Sequence, residues 1–388
     1  MRISYLVAIF ATGVVIAACA QLSAVPAGTE CETTQFSVED NFSGARRGRC
    51  TVLAADHVEL RIRPEDEGRI NNSPWYAFRL RPNHAGTANV TLRYEGGNHR
   101  YWPKTSRDGM TWTRLDTSAV RADTDGEHAH FAIELGDEPV YVAAQELITP
   151  KVYDVWRARI AARDIPVRVI GESKRGLPIH AFDSNPESKS LLLLMGRQHP
   201  PEVSGAIAMQ SFVDTVFSTT DLATRFRERF RVVAVPLLNP DGVVGGNWRH
   251  NLGSTDLNRD WGMFRQPETR AVATLLDEYE ASDGKLRMVV DFHSTSRNVF
   301  YAHYDVTDPP NFTERWLNQS RPRITDYEFG VSRSPIQNAA VAKNYFYERY
   351  GIPAITYEVG DETDRAAARA AAIVFAEELM RLMLEQDY

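Results

Sequence analysis

Four stretches of this chain are apolar without alternation: "SLLLLMG" (190–196), "RVVAVPLLN" (231–239), "RMVVDFH" (287–293) and "IPAITYEVG" (352–360). A strand with one wet face alternates apolar and polar residues, so runs of this kind must be buried on both faces. They predict a mixed, mostly buried sheet held between two layers of helices, an α/β domain spanning 148–388. Helical stretches separate them. "VSGAIAMQSFVDTVFS" (203–218) carries Val203, Ile207, Phe212 and Val216 on one stripe, "VYDVWRARIAA" (152–162) reads as an entry helix, and "RAAARAAAIVFAEELMRLMLEQ" (365–386) closes the chain with a long one. "IPVRVIGES" and "LPIHAFDS" read as a strand pair turning at Lys174, Arg175 and Gly176.

The first part of the chain has a different rhythm. "HVELRIRPE", "WYAFRLRP", "ANVTLRYEGG", "HRYWPKTS" and "HAHFAIEL" alternate with period two and are parted by Asn, Pro, Gly and Asp, the pattern of a small all-β sandwich over 35–147. Its aromatics (Trp75, Phe78, Tyr94, Tyr101, Trp102, Trp112) are expected in its core. Before it, residues 1–18 carry one Arg, an apolar run from Leu6 to Ile16 and then small residues, which reads as a lipoprotein-type signal peptide. Ile16-Ala17-Ala18-Cys19 places lipid on Cys19, followed by a tether over 19–34. The expected location is the cell envelope of a bacterium, with the membrane reached only through that anchor; a soluble periplasmic form is the alternative. Of the chain's three cysteines, Cys31 and Cys50 are then left in an oxidising compartment and are expected to pair. A formal charge of -7 gives no reason to expect nucleic acid as a partner.

In sheets of this kind the residues that carry chemistry gather at strand ends. His199 and Glu202 follow the first apolar run, Asn239 ends the second in "NPDG", His293 ends the third, and Glu358 lies in the fourth. Zinc takes imidazole nitrogen and carboxylate oxygen, and a catalytic site keeps one position open for a water whose pKa falls towards ~7. His199, Glu202 and His293 form such a three-ligand set for one Zn2+ per chain. Glu358 is the carboxylate free to take the proton.

In order along the chain, "RQHPPE", "NPDG", "WRHN", "DLNRDW", "DFHS" and "TYE" resemble the motifs of zinc metallocarboxypeptidases, over roughly Tyr153 to Leu384. The preceding sandwich, with "WYAFRL" and "HRYWPKTSRDGMTW", is similar to the N-terminal domain of the cytosolic-carboxypeptidase-like subfamily. The resemblance implies a carboxypeptidase-like fold and hydrolysis of the C-terminal peptide or isopeptide bond of a substrate with a free carboxylate. It implies zinc on His199, Glu202 and His293, with Glu358 as general base. It further implies that Arg249 stabilises the oxyanion, that Asn258 and Arg259 grip the terminal carboxylate, and that Asp256 orients a zinc histidine. Lys343, 15 residues before Glu358, lies close to the family's specificity position, where it would favour an acidic side chain; the other reading, which the residues favour, is a solvated lysine on a helix, and a one-residue gap would put Asn344 there instead. The family's mobile tyrosine has no counterpart, since Gln337 stands near its place and no motif selects Tyr327 or Tyr345. Two other readings remain: an amidase or deacylase on peptidoglycan peptides or N-acyl amino acids with the same site, and a non-enzymatic binding module, which would be expected to have lost a ligand or Glu358.

Overall fold

The computed structural model describes residues 31–67, 70–304, 307, 309–333 and 339–386. The signal segment, Cys19 and Gln337 lie outside these residues. From Phe36 to Ala143 the chain forms two five-stranded sheets. One runs in the order Phe36–Glu39, Ala77–Pro82, Val140–Ala143, Lys104–Ser106, Thr113–Arg114; the other in the order Arg49–Ala54, His57–Ile62, Gly86–Tyr94, His128–Leu135, Val120–Ala122. Alternation decides which side chains face inward: Val58, Leu60 and Ile62 are buried while their neighbours are half-exposed. Trp75, Phe78, Tyr94 and Tyr101 are in the core, and Trp102 and Trp112 pack at its edge. Cys31 and Cys50 are bonded, with Cα atoms 5.7 Å apart, tying the segment before the first strand to the second.

The eight-stranded sheet that follows runs in the order Val167–Glu172, Pro178–Ser184, Arg231–Val235, Ser190–Gly196, Lys285–Thr295, Ala354–Gly360, Val299–Ala302, Gly330–Arg333. The four unalternating runs are its centre, parallel to one another. Leu192 and Leu194 face one apolar cluster with Ile207, Phe212 and Phe375; Leu191, Leu193 and Met195 face a second with Val272, Leu275 and Phe346. Two-sided burial is the reason the sequence does not alternate there. The strand pair Val167–Glu172 and Pro178–Ser184 is antiparallel and forms one edge.

The helix Val203–Val216 departs from the expected single stripe. Ser204, Gly205, Ala206, Ala208 and Met209 are buried too, because the helix is enclosed between the sheet and the closing helix Arg365–Leu384. Small residues permit this. A Cβ on Gly205 would lie 2.3 Å from the His293 carbonyl oxygen, so only glycine lets the helix rest directly on the strand that bears His293.

Candidate active site

The strand Ser190–Gly196 ends in a loop, Arg197–Pro201, that turns through Arg197 in the left-handed region (φ 54°), and Glu202 opens the helix Val203–Val216. His199 and Glu202 therefore leave one turn together. On the two next strands His293 lies directly opposite Glu358, and Asp291 opposite Thr356. Residues two apart share a face, so these four point to one side of the sheet end, joined by Tyr301 opposite Thr356 on a third strand. A seam of small residues fixes the spacing. Ser294 Oγ accepts the Gly205 N–H at 2.8 Å and the Ser204 hydroxyl at 2.8 Å, which binds the helix after Glu202 to the residue after His293.

His199 Nδ1 lies 2.8 Å from Glu202 Oε1, and His293 Nδ1 lies 2.7 Å from Glu202 Oε2. The three groups are buried and form a potential metal-binding cluster. The other ring nitrogens are also engaged: His199 Nε2 with Asp256 Oδ1 at 2.9 Å, His293 Nε2 with Asp291 Oδ2 at 2.8 Å. Both nitrogens of each ring thus face carboxylate oxygens, which only accept. With the Nε2 protons held by Asp256 and Asp291, each Nδ1 can turn a lone pair to an ion shared with Glu202. A proton or a cation between Nδ1 and the Glu202 oxygens makes the arrangement favourable. The titration shifts carry the same message. Burial opposes ionisation of Glu202, yet His199 and His293 outweigh it and hold its carboxyl below the ordinary range. Burial disfavours a charged His293, yet Asp291 and Glu202 raise its proton affinity well above normal. An open two-imidazole, one-carboxylate donor set with both rings oriented from behind suits zinc.

Glu358 is half-buried beside this cluster, and its Oε2 is covered and has no hydrogen-bond partner among the described residues. Burial raises its pKa to about 7 and Glu202 adds to the rise, while His293 and His199 pull the other way. A carboxyl poised near neutrality with a free oxygen is equipped to take and return a proton.

Asp256 links His199 to Arg249, whose Nε donates to Asp256 Oδ2 at 2.7 Å. Burial opposes ionisation of Asp256, and His199 and Arg249 more than compensate, holding it low. The Arg249 loop is itself held from the other domain. Glu65 of the sandwich accepts the main-chain N–H groups of Trp248 (2.7 Å), Arg249 (3.0 Å) and His250 (2.6 Å). Asp66 takes His250 Nδ1 at 2.6 Å and the Ser254 hydroxyl at 2.7 Å.

Asn258 and Arg259 follow in a short 3-10 turn capped by Asp256. Asn258 Oδ1 accepts the Ala342 N–H at 2.8 Å, which ties it to the start of the helix Ala342–Tyr350. The Arg259 side chain is 52% exposed and donates to the Asn258 carbonyl at 2.7 Å. Lys343, on that same helix, is buried rather than solvated, and its Nζ lies 3.2 Å from His303 Nε2. Desolvation lowers its pKa to about 8. Lys343, Tyr301 and Thr356 line the same cleft of about 320 Å³ as His199, Glu202, His293 and Glu358. Asn344 turns elsewhere, donating to the Ala339 carbonyl.

The structure thus brings His199, Glu202, His293, Glu358, Arg249, Asn258, Arg259 and Lys343 to one cleft, with Asp256 bonded to His199 and Arg249 behind it. Sequence reasoning missed Asp291, although period-two alternation in "VDFH" puts it on the His293 face. It also missed Gln198, whose Nε2 donates to Asp291 at 2.7 Å and whose Oε1 accepts from Trp261. Asn239 holds the Gln198 carbonyl at 3.0 Å and caps the short helix Pro240–Gly245, so "NPDG" supports the ligand loop from behind.

Comparison with known proteins agrees with this geometry. Residues 188–385 match the succinylglutamate desuccinylase/aspartoacylase catalytic domain, and residues 38–144 the cytosolic carboxypeptidase N-terminal domain. Cytosolic carboxypeptidase 6 of Caenorhabditis elegans is 25% identical over 361 residues, 83% of this chain and 78% of that protein. Human cytosolic carboxypeptidase 2 is 27% identical over 239 residues, 56% of this chain but 25% of the human protein. Among solved structures, a metallo-carboxypeptidase from Burkholderia cenocepacia superposes with a TM-score of 0.74 at 21% identity, covering 91% of this chain and 98% of that one. A metallo-carboxypeptidase from Pseudomonas aeruginosa, in complex with (2-guanidinoethylmercapto)succinic acid, gives 0.73 at 22% identity, covering 90% and 99%. The two structures share this fold over nearly their whole length.

Proposed function

We propose, from the premise that the chain belongs to the metallocarboxypeptidase family, with a cytosolic-carboxypeptidase N-terminal domain and a catalytic domain of the succinylglutamate desuccinylase/aspartoacylase type, that it hydrolyses the C-terminal peptide or isopeptide bond of a peptide substrate. The observation that carries the reading is the convergence of two imidazole Nδ1 atoms and the Glu202 carboxylate beside Glu358, whose Oε2 has no hydrogen-bond partner among the described residues. His199, Glu202 and His293 would hold one zinc ion, which when bound polarises the scissile carbonyl and acidifies water. Glu358 takes the proton from the attacking water and returns it to the leaving amine. Arg249, fixed through Asp256, offers its guanidinium to the oxygen on which negative charge develops. Asn258 and Arg259 receive the terminal carboxylate. Lys343 lines the part of the cleft next to Asn258, where a cation in a desolvated setting favours an acidic side chain on the last residue.

The family to which residues 188–385 belong favours one competing reading, deacylation of an N-acyl amino acid by the same residues. One set of assays separates the two. Purified protein should hold about one zinc per chain, and Glu358→Gln should keep that zinc while losing most turnover, since only the proton acceptor is removed. Near-normal turnover in that variant would overturn the role of Glu358. Faster hydrolysis of N-acetyl-leucine than of N-acetyl-Ala-Ala-Leu would favour the deacylase. The N-terminal segment and the Cys31–Cys50 bond support export with lipid on Cys19; mass spectrometry of the mature N-terminus finding an unmodified start would remove that part.

A further inference from the structure

One side chain in the cleft belongs to neither the zinc cluster nor the carboxylate grip. Arg100 comes from the β-sandwich domain and lines the catalytic cleft together with Asn71 and Ser73 of the same domain. Its Nε donates to Asp361 Oδ2 at 2.9 Å, and its Nη1 donates to the Asn72 carbonyl at 2.7 Å and to Ser73 Oγ at 3.0 Å. The guanidinium carbon sits 5.0 Å from the centroid of the Tyr101 ring. Three hydrogen bonds and a ring contact fix the plane of the group. Among the described residues its remaining nitrogen, Nη2, has no acceptor, and the side chain is 20% exposed. A guanidinium held by two nitrogens with the third presented to an active-site cleft is preorganised to donate to something that enters.

Its position says which part of a substrate that is. Asp361 follows the strand that bears Glu358, and its main-chain N–H donates to the Thr295 carbonyl at 2.7 Å. Arg100 is therefore anchored beside Thr295, which lines the cleft. Asn258 is bonded to the start of the helix that carries Lys343, and these two residues, Arg259, Arg100 and the His199, Glu202, His293 and Glu358 cluster all line that one cleft. With a peptide's terminal carboxylate at Asn258 and Arg259 and its scissile bond at the cluster, Arg100 is the cation left in the cleft for the part N-terminal to that bond. Asp361 already balances the charge of Arg100, so a neutral acceptor is matched there at less desolvation cost than a second carboxylate. Every peptide supplies such an acceptor in its main chain.

We infer that Arg100 is a substrate-binding residue whose Nη2 donates a hydrogen bond to a main-chain carbonyl on the N-terminal side of the scissile bond, so that this enzyme favours peptides that extend past the bond it cuts. The inference rests on the peptidase reading and adds a subsite supplied by the second domain.

The test compares kcat/KM for N-acetyl-leucine, N-acetyl-Ala-Ala-Leu, and the same tripeptide with an alkene isostere replacing the amide between its two alanines. Wild type should cut the full tripeptide roughly ten- to a hundred-fold faster than the isostere, the range set by one hydrogen bond to a charged donor. Arg100→Lys keeps a cation beside Asp361 but cannot span both Asp361 and a substrate carbonyl. It should retain zinc content and melting temperature, lose the advantage of the tripeptide, and leave N-acetyl-leucine unchanged. The paired variant Arg100→Met with Asp361→Asn removes both charges together and should behave alike. If wild type cuts N-acetyl-leucine as fast as the tripeptide, the peptidase reading fails. If it prefers the tripeptide and both variants keep the preference, the inference fails while that reading stands. With N-acetyl-Ala-Glu-Leu added as a fourth substrate, loss of activity in the variants on that peptide alone would mean that Arg100 contacts a side chain and the carbonyl assignment is wrong.

Discussion

Replacing Glu65 with Gln should weaken catalysis through Arg249, although Glu65 lies in the other domain. Its two carboxylate oxygens take three main-chain N–H groups from residues 248, 249 and 250. Gln keeps one acceptor oxygen, which can still serve Arg249 and His250. Its NH2 then faces the Trp248 N–H, donor against donor. The change removes one hydrogen bond to a charged acceptor and weakens two others, about 1.5–3 kcal/mol in all. Part of that strain goes into loosening the loop. Arg249 stays anchored through Asp256 at 2.7 Å, so its guanidinium shifts rather than leaves. The expected loss in kcat/KM is about tenfold, bounded above by the ~10²–10³ that removal of an oxyanion donor costs. The assay is steady-state kinetics on N-acetyl-Ala-Ala-Leu for wild type, Glu65→Gln, Arg249→Ala and the double variant. The loss should fall on kcat, and Glu65→Gln should cost little once Arg249 is gone. An equal loss with and without Arg249 would mean that Glu65 acts on stability alone, and no loss at all would mean that the sandwich does not set the position of the loop.

Three further outcomes follow from the geometry. Arg259 is half in solvent, so a peptide amide should be cut only about tenfold more slowly than the acid, in line with a screened ion pair, and Arg259→Ala should shrink that gap; internal cleavage as the main product would refute the grip. Lys343→Ala should lower the preference for Glu-ended over Leu-ended peptides. Because the lysine is charged below its pKa of about 8, the wild-type preference in kcat/KM should fade as pH rises through about 8, and a flat ratio from pH 6 to 9 would remove Lys343 from specificity. Cys31→Ser with Cys50→Ser opens a closure of 19 residues and should cost roughly 3 kcal/mol, seen as a lower melting temperature of the sandwich with the zinc content unchanged.

Much of this was legible because strands impose strict periodicity. Four runs without alternation announced the doubly covered sheet, and the polar residues that interrupt them could only lie where the strands end. Asp291 was legible in principle, two positions before His293. Glu65, Asp66 and Arg100 were not. Each lies more than a hundred residues from the group it serves, and Glu65 acts on main-chain N–H groups, which leave no trace in the residues they belong to. Ser204, Gly205 and Ser294 set the spacing of Glu202, His293 and Glu358 by being small, and small residues advertise no chemistry. The choice between Lys343 and Asn344 turned on a one-residue register in a helix with polar side chains on several sides; only the packing of that helix against the cleft decides which of the two faces inward.

The two domains together bear on the choice between peptidase and deacylase. The His199, Glu202 and His293 cluster, Glu358 and the grip proposed for Asn258 and Arg259 would serve an N-acyl amino acid as well as a peptide, since both present an amide next to a free carboxylate. A small acyl group ends at the cluster and has no use for a further donor. In this protein the cleft is also lined from the sandwich, by Arg100, clamped by Asp361 and with no acceptor for its Nη2 among the described residues, and by Asn71 and Ser73. Glu65 and Asp66 of the same domain hold the Arg249 loop. A domain kept only for stability would need neither an oriented guanidinium in the cleft nor a carboxylate under the Arg249 loop. A tripeptide preference lost with Arg100 is what a substrate longer than one residue requires, whereas a kcat loss at Glu65 that vanishes without Arg249 would tie the sandwich to catalysis on either substrate.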